Sequence, residues 1–210
     1  MIDLIILALI AYFIIRKLKS ILGEESDEVY FGYNAKRNNN ESIKDAEQID
    51  ISKNLDSEQF AKLSQDAKIN ATAICNRIKN FSLSKFQDIS VKVLEQVIKA
   101  NNDQNNEEIR KFLSKELAEL VISSFKKNEK NNIFLVSLKK SEVVDVIKTG
   151  DIFDIKIQFD MEQISYITNE NNEVIDGSKN EIINVEEIWT FTHDFNKKDR
   201  TWFVSNIQEI

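Results

Sequence analysis

The sequence contains no proline, one cysteine, one histidine and only four glycines. A lone cysteine, Cys75, excludes an internal disulfide and any multi-cysteine metal site; a lone histidine, His193, excludes multi-histidine sites. Cys75 reads as a small buried apolar residue in a helix. Catalytic motifs are missing as well: there is no glycine-rich phosphate loop, no His–Cys cluster and no G-x-S-x-G elbow. No catalytic residue, metal ligand or cofactor is therefore expected. The absence of proline, alongside many Ile, Lys and Asn residues, reads as compositional drift, and Asn runs such as Asn38-Asn39-Asn40 carry no functional reading.

Positive charge is also scarce, with a net charge of −7. Residues 1–23 hold Arg16, Lys17 and Lys19 against Asp3, a net +2, which leaves −9 for the remainder. An acidic body repels phosphate backbones, so nucleic acid is not an expected partner. At 210 residues and 42% apolar content, the chain suits one folded domain with appendages.

What is present begins at the N-terminus. Residues 1–15 read MIDLIILALIAYFII, with Leu4, Ile5, Ile6, Leu7, Leu9, Ile10, Tyr12, Phe13, Ile14 and Ile15 supplying the apolar run. Arg16, Lys17 and Lys19 stop it. As a helix the fifteen residues span roughly 22 Å at about 1.5 Å per residue. A hydrocarbon core of ~30 Å needs more, which snorkelling cations and Leu18, Ile21 and Leu22 can supply. A cleaved signal peptide has its cations before the run and small residues after it, the reverse of this order. A buried core helix has a polar face, which this segment lacks. The expectation is an uncleaved single-pass anchor over residues 1–23, with the basic flank and the folded domain on the cytoplasmic side. Residues 24–56 are polar and acidic and read as a linker, with Tyr30, Phe31 and Tyr33 its aromatic cluster.

The folded domain is expected over residues 57–210. Phe60, Leu63, Ala67, Ala71, Ile74, Ile78 and Phe81 recur at helical spacing and predict one long amphipathic helix from Ser57. A second helix is expected over 84–100. A third is expected from a cap at Asn106 to Phe125, with Glu107 and Glu108 at its positive end and a kink near Ser114. Beyond Asn132 the period changes to two. Strands are expected over 133–148, 153–161, 182–195 and 202–207, with a hairpin turn at Thr149-Gly150-Asp151. Phe153, Ile155, Ile157, Phe159 and Met161 point one way; Val185, Glu187, Trp189, Phe191, His193 and Phe195 share one face of the third strand. The fold class is α+β, with helices packed on a curved four-stranded antiparallel sheet. Such a sheet leaves a concave apolar pocket. Phe159, Trp189, Phe191 and Trp202 are its candidate lining, with core packing as their ordinary reading. His193 reads as the polar end of that aromatic face, because acid–base catalysis needs a partner in reach.

The stretch Val185-Glu186-Glu187-Ile188-Trp189-Thr190-Phe191, followed by Asp194, Asp199 and Trp202, resembles the closing signature of the Tim44-like domain. The resemblance covers Ser57 to Ile210 together with the layout of residues 1–23, and it is to the bacterial, mostly α-proteobacterial members. His193 stands where that family usually has arginine, and Arg200 where proline is common. The resemblance implies a cone-shaped fold similar to nuclear transport factor two, with an apolar pocket. It also implies association with membrane lipid, including anionic lipid, and a part in protein translocation or inner-membrane assembly beside partner proteins. The family is named for the mitochondrial inner-membrane translocase subunit that anchors the import motor. A linker occupies the place of that subunit's motor-binding region, so chaperone recruitment is not expected. Two other classes share the layout or the pocket: a type IV secretion-like assembly scaffold, and a carrier or enzyme for a lipophilic small molecule. The first has a tail before its span, unlike this sequence.

Overall fold

The computed structural model describes residues 57–197 and 201–210. The expected anchor and linker lie outside the described residues. Five helices come first: α1 (Ser57–Lys62), α2 (Gln65–Arg77), α3 (Leu83–Asn102), α4 (Asn106–Phe112) and α5 (Lys115–Ser124). Five strands follow: β1 (Glu129–Thr149), β2 (Ile152–Asn169), β3 (Val174–Gly177), β4 (Ile183–Asp194) and β5 (Phe203–Glu209). The α+β class is thus observed, and among the described residues a short strand, β3, joins the four expected ones.

The helices begin where small polar side chains can accept from the free N–H groups of a first turn. Ser64, Ser82, Asn105 and Ser114 cap α2, α3, α4 and α5 in turn. Two expectations change here. The single helix from Ser57 is broken, because the Ser64 hydroxyl accepts from the Ala67 N–H and starts a new helix. The kink near Ser114 is a full break, and Asn105 rather than Asn106 is the cap, accepting from the Glu108 N–H at 3.2 Å. With glycine scarce, left-handed backbone falls to other residues: Asn80, Gln104, Asn128 and Asn172 all have positive φ. Asparagine tolerates that region better than most side chains.

The sheet is antiparallel throughout, in the order β1-β2-β4-β5, and β3 lies beside the last turn-ward residues of β2. β1 and β2 form one long hairpin across a two-residue loop, Gly150-Asp151. Gly150 has φ 63°, the sign that primed hairpin turns take at their first central position. β1 carries three register shifts, at Leu135/Ser137, Leu138/Lys140 and Val143/Asp145. Each extra residue bends the strand and increases its twist. Phe153, Ile155, Ile157, Phe159 and Met161 are all buried against the helices, as their alternation requires. Burying such side chains stabilises the fold by about 1.5–3 kcal/mol each.

β1 is an edge strand, and its outer backbone groups are met by side-chain amides from the helices. Asn70 of α2 donates to the Val146 carbonyl at 2.9 Å, and Gln87 of α3 donates to that of Ser141. Asn102 at the end of α3 donates to the Ile133 carbonyl at 2.7 Å and accepts from the Ile133 N–H at 2.8 Å. Gln104 donates to the Glu129 carbonyl at 2.8 Å. On the opposite edge the Ser114 N–H donates to the Val204 carbonyl of β5 at 2.8 Å. Asn102→Ala leaves both Ile133 groups without their partner and should destabilise the fold by about 1–3 kcal/mol. Urea unfolding should show a lower midpoint at unchanged slope; an unchanged midpoint would show that the amide carries no stability.

Candidate functional site

The inner face of the sheet is assembled by register. Phe153 pairs with His193, Ile155 with Phe191, Ile157 with Trp189, Phe159 with Glu187 and Met161 with Val185. Because cross-strand partners share a face, these residues form one surface. α3, α4 and α5 cover it with Phe86, Leu94, Ile109 and Leu117, all buried.

The four candidate pocket residues fall into two aromatic groups. Phe159 and Trp189 meet edge to face with ring centroids 5.7 Å apart. Phe191 and Trp202 both pack on Phe86, at 5.5 Å and 5.0 Å. Phe159, Trp189 and Phe191 are buried, and Trp202 is half-buried just ahead of β5. They are joined to the helices as core. Such edge contacts add about 0.5–1.5 kcal/mol beyond the area they bury.

His193 is 1% exposed and lies between the rings of Phe195 and Trp202, at 4.4 Å and 5.2 Å. Its Nδ1 is 2.7 Å from the Thr201 carbonyl, which can only accept, so Nδ1 carries the proton. The residue ties the end of β4 to the start of β5. Arg200, the second departure from the family pattern, lies outside the described residues, as do the anchor residues 4–19.

Glu187 is the functional candidate that sequence reasoning placed on this face without giving it a role. Its carboxylate accepts from the Trp189 indole N–H at 2.8 Å. Its strand partner on β5 is Glu209. Burial among apolar side chains pushes its pKa above the ordinary 4.5; the indole N–H opposes the rise and the Glu209 charge adds to it. The legible signal was one acid in the otherwise apolar and aromatic set Val185, Glu187, Trp189, Phe191. A separate groove of about 410 Å³ runs between the end of α3 and the start of β1, with Ile98, Lys99, Lys130 and Phe134 among its walls. None of the four aromatic candidates lines it. Among the described residues no group of three His, Cys, Asp or Glu side chains could hold a metal ion. No described helix is long and apolar enough to cross a membrane.

An acid whose folded pKa is raised keeps its proton where the unfolded chain has lost it. Its contribution to stability is full below the ordinary carboxylate range and is lost as pH rises through the folded value. Glu187→Gln keeps an oxygen for the indole N–H without the charge. It should melt higher than the natural chain near neutral pH, with the gain shrinking as pH falls toward 4.5. Thermal melts at both pH values check this, and an equal gain at each would rule it out.

Residues 68–209 match the family model described as the Tim44-like domain. Over 226 aligned residues the chain is 26% identical to an uncharacterized protein of Rickettsia prowazekii (strain Madrid E), covering 100% of this chain and 98% of that one. A source of that kind agrees with the α-proteobacterial type of the sequence resemblance. Among solved structures, the intermembrane space region of chloroplast protein ARC6 is similar at 12% identity and a TM-score of 0.38, over 59% of this chain and 95% of that chain.

Proposed function

The chain belongs to the Tim44-like domain family, whose function is membrane-associated and translocation-related, and from that premise we propose that it is a membrane-tethered binding and scaffold protein. In this reading residues 1–23 anchor it in a bacterial inner membrane by a single pass and residues 57–210 work on the cytoplasmic face. There they assist protein translocation or membrane-protein assembly through lipid and protein contacts, without catalysing a reaction. The observation that carries the reading is the coupling of a matched domain at 68–209 to an apolar run at 1–15 with cations behind it. A membrane anchor places its cations on the cytoplasmic side. The bent β1–β2 hairpin and its helix layer support the cone shape that the family resemblance implies, with the Phe159–Trp189 face directed at the helices.

Deleting residues 2–15 should move the protein from the carbonate-resistant membrane fraction to the soluble one. A C-terminal fluorescent-protein fusion should be bright and a C-terminal phosphatase fusion inactive. An active phosphatase would overturn the topology and favour the secretion-like scaffold. Crosslinking of the intact membrane form should capture translocase subunits or nascent inner-membrane proteins; capture of neither would overturn the assembly role.

A further inference from the structure

β2 changes its polarity part-way along. Up to Met161 the inward positions are apolar and buried, and the outward ones are Asp154, Lys156, Gln158, Asp160 and Glu162. From Gln163 onward the inward positions are Gln163, Ser165 and Ile167, and the outward ones are Ile164, Tyr166 and Thr168. No register shift of β2 itself accounts for this, since the extra residues opposite it belong to β1. The far arm of the sheet therefore carries apolar side chains on its outward face as well as on the face that holds Ile133 and Leu135. Phe134 pairs with Ile164, and its ring stacks on Tyr166 at 6.0 Å. Ile182 immediately precedes the Ile183–Gln163 pair and so continues beside Ile164. Phe134 is 52% exposed and Ile182 53%. An outward apolar strip on an otherwise alternating strand marks a surface that is covered in use.

Charge says what covers it. Residues 162–186 hold six acids against Lys179, a net −5, and the adjoining 129–139 add Glu129, Lys130 and Lys139, leaving −4 for the arm. Among the described residues Glu170, Asp176, Glu181 and Glu186 make no ion pair. An acidic rim weakens contact with an anionic bilayer and selects a partner that is apolar and basic. This chain carries such a surface at its other end. Residues 57–92 hold six cations against Glu58, Asp66 and Asp88, a net +3. Lys68, Lys79, Lys85 and Lys92 make no ion pair there, and Ile69 and Ile89 are 59% and 56% exposed.

We infer that the outer face of the sheet arm docks on the α2–α3 surface of a second copy, head to tail. Such a contact joins two different surfaces, so each copy keeps one of each free and further copies can add in a row. Because opposite charges meet, the association strengthens at low salt.

The test uses the full chain in detergent micelles, measured by sedimentation with the detergent mass subtracted. The natural chain should form dimers and larger species at low salt, with the apparent Kd weakened at least about tenfold at high salt. An arm variant, F134S/I182S, and a helix variant, I69S/I89S, should each be monomeric alone; mixed, they should form a one-to-one dimer that grows no further. Circular dichroism confirms that each variant is folded, and the charge-reversed pair K85E/K92E with E170K/E181K repeats the mixing experiment should a variant fail that check. A natural chain that stays monomeric at both salts overturns the inference, as does a helix variant that still dimerises through its arm. Loss of vesicle binding by the arm variant with no change in mass would assign the arm to lipid instead.

Discussion

The architecture hangs on a 21-residue edge strand, β1, whose free side must be satisfied without a neighbouring strand. An open edge invites pairing with any other chain. Here helices lie along it, and Asn70, Gln87, Asn102 and Gln104 reach its backbone. Asn102 meets both groups of Ile133, as the peptide of another strand would. The same contacts fix where α2 and α3 sit, so the layer that covers the aromatic face is positioned from the edge inward. The bulges serve the same end, since they bend β1 around the helices and break the regular row of edge groups.

The inner face is a packed core in which Glu187 and His193 are the polar side chains contributed by β4. His193 is satisfied within the protein by the Thr201 carbonyl and held between two rings. Glu187 has one indole N–H and an acidic neighbour. A half-buried carboxyl whose pKa is raised by desolvation beside a second acid costs stability, and natural chains retain such costs mainly at sites of use. The contrast between the two explains why the lone histidine, the more conspicuous residue in the sequence, is the less promising one.

Much of the fold was legible because the local signals are strong. Clean alternation from Phe153 to Met161 named the buried strand and its inward face, and Thr149-Gly150-Asp151 named the turn. The breaks at Ser64 and Ser114 were harder to read, because serine inside an amphipathic stripe looks the same whether it caps a new helix or sits within an old one. The four residues of β3 fall below the length at which alternation can be recognised. The amide ladder on β1 could not be read at all, since it joins residues up to 76 positions apart and asparagine is abundant throughout. In the sequence that abundance reads as drift, yet Asn80, Asn128 and Asn172 stand where other proteins would place glycine. For the site, the aromatic residues were found and their partners were not, because Phe86 lies over a hundred positions from Phe191 and Trp202.

The order of elements along the chain has a consequence for biosynthesis. All five described helices leave the ribosome before the first residue of β1, and the inner strand β2 comes later still. Until then the apolar stripes of α2 and α3 have nothing to cover, and the amides of Asn70 and Gln87 have no edge to grip. The β1–β2 hairpin, by contrast, is local and can form as soon as its turn has emerged. The nascent helices must therefore wait for the hairpin, and a chain released before about residue 169 would hold its helices without the surface that organises them.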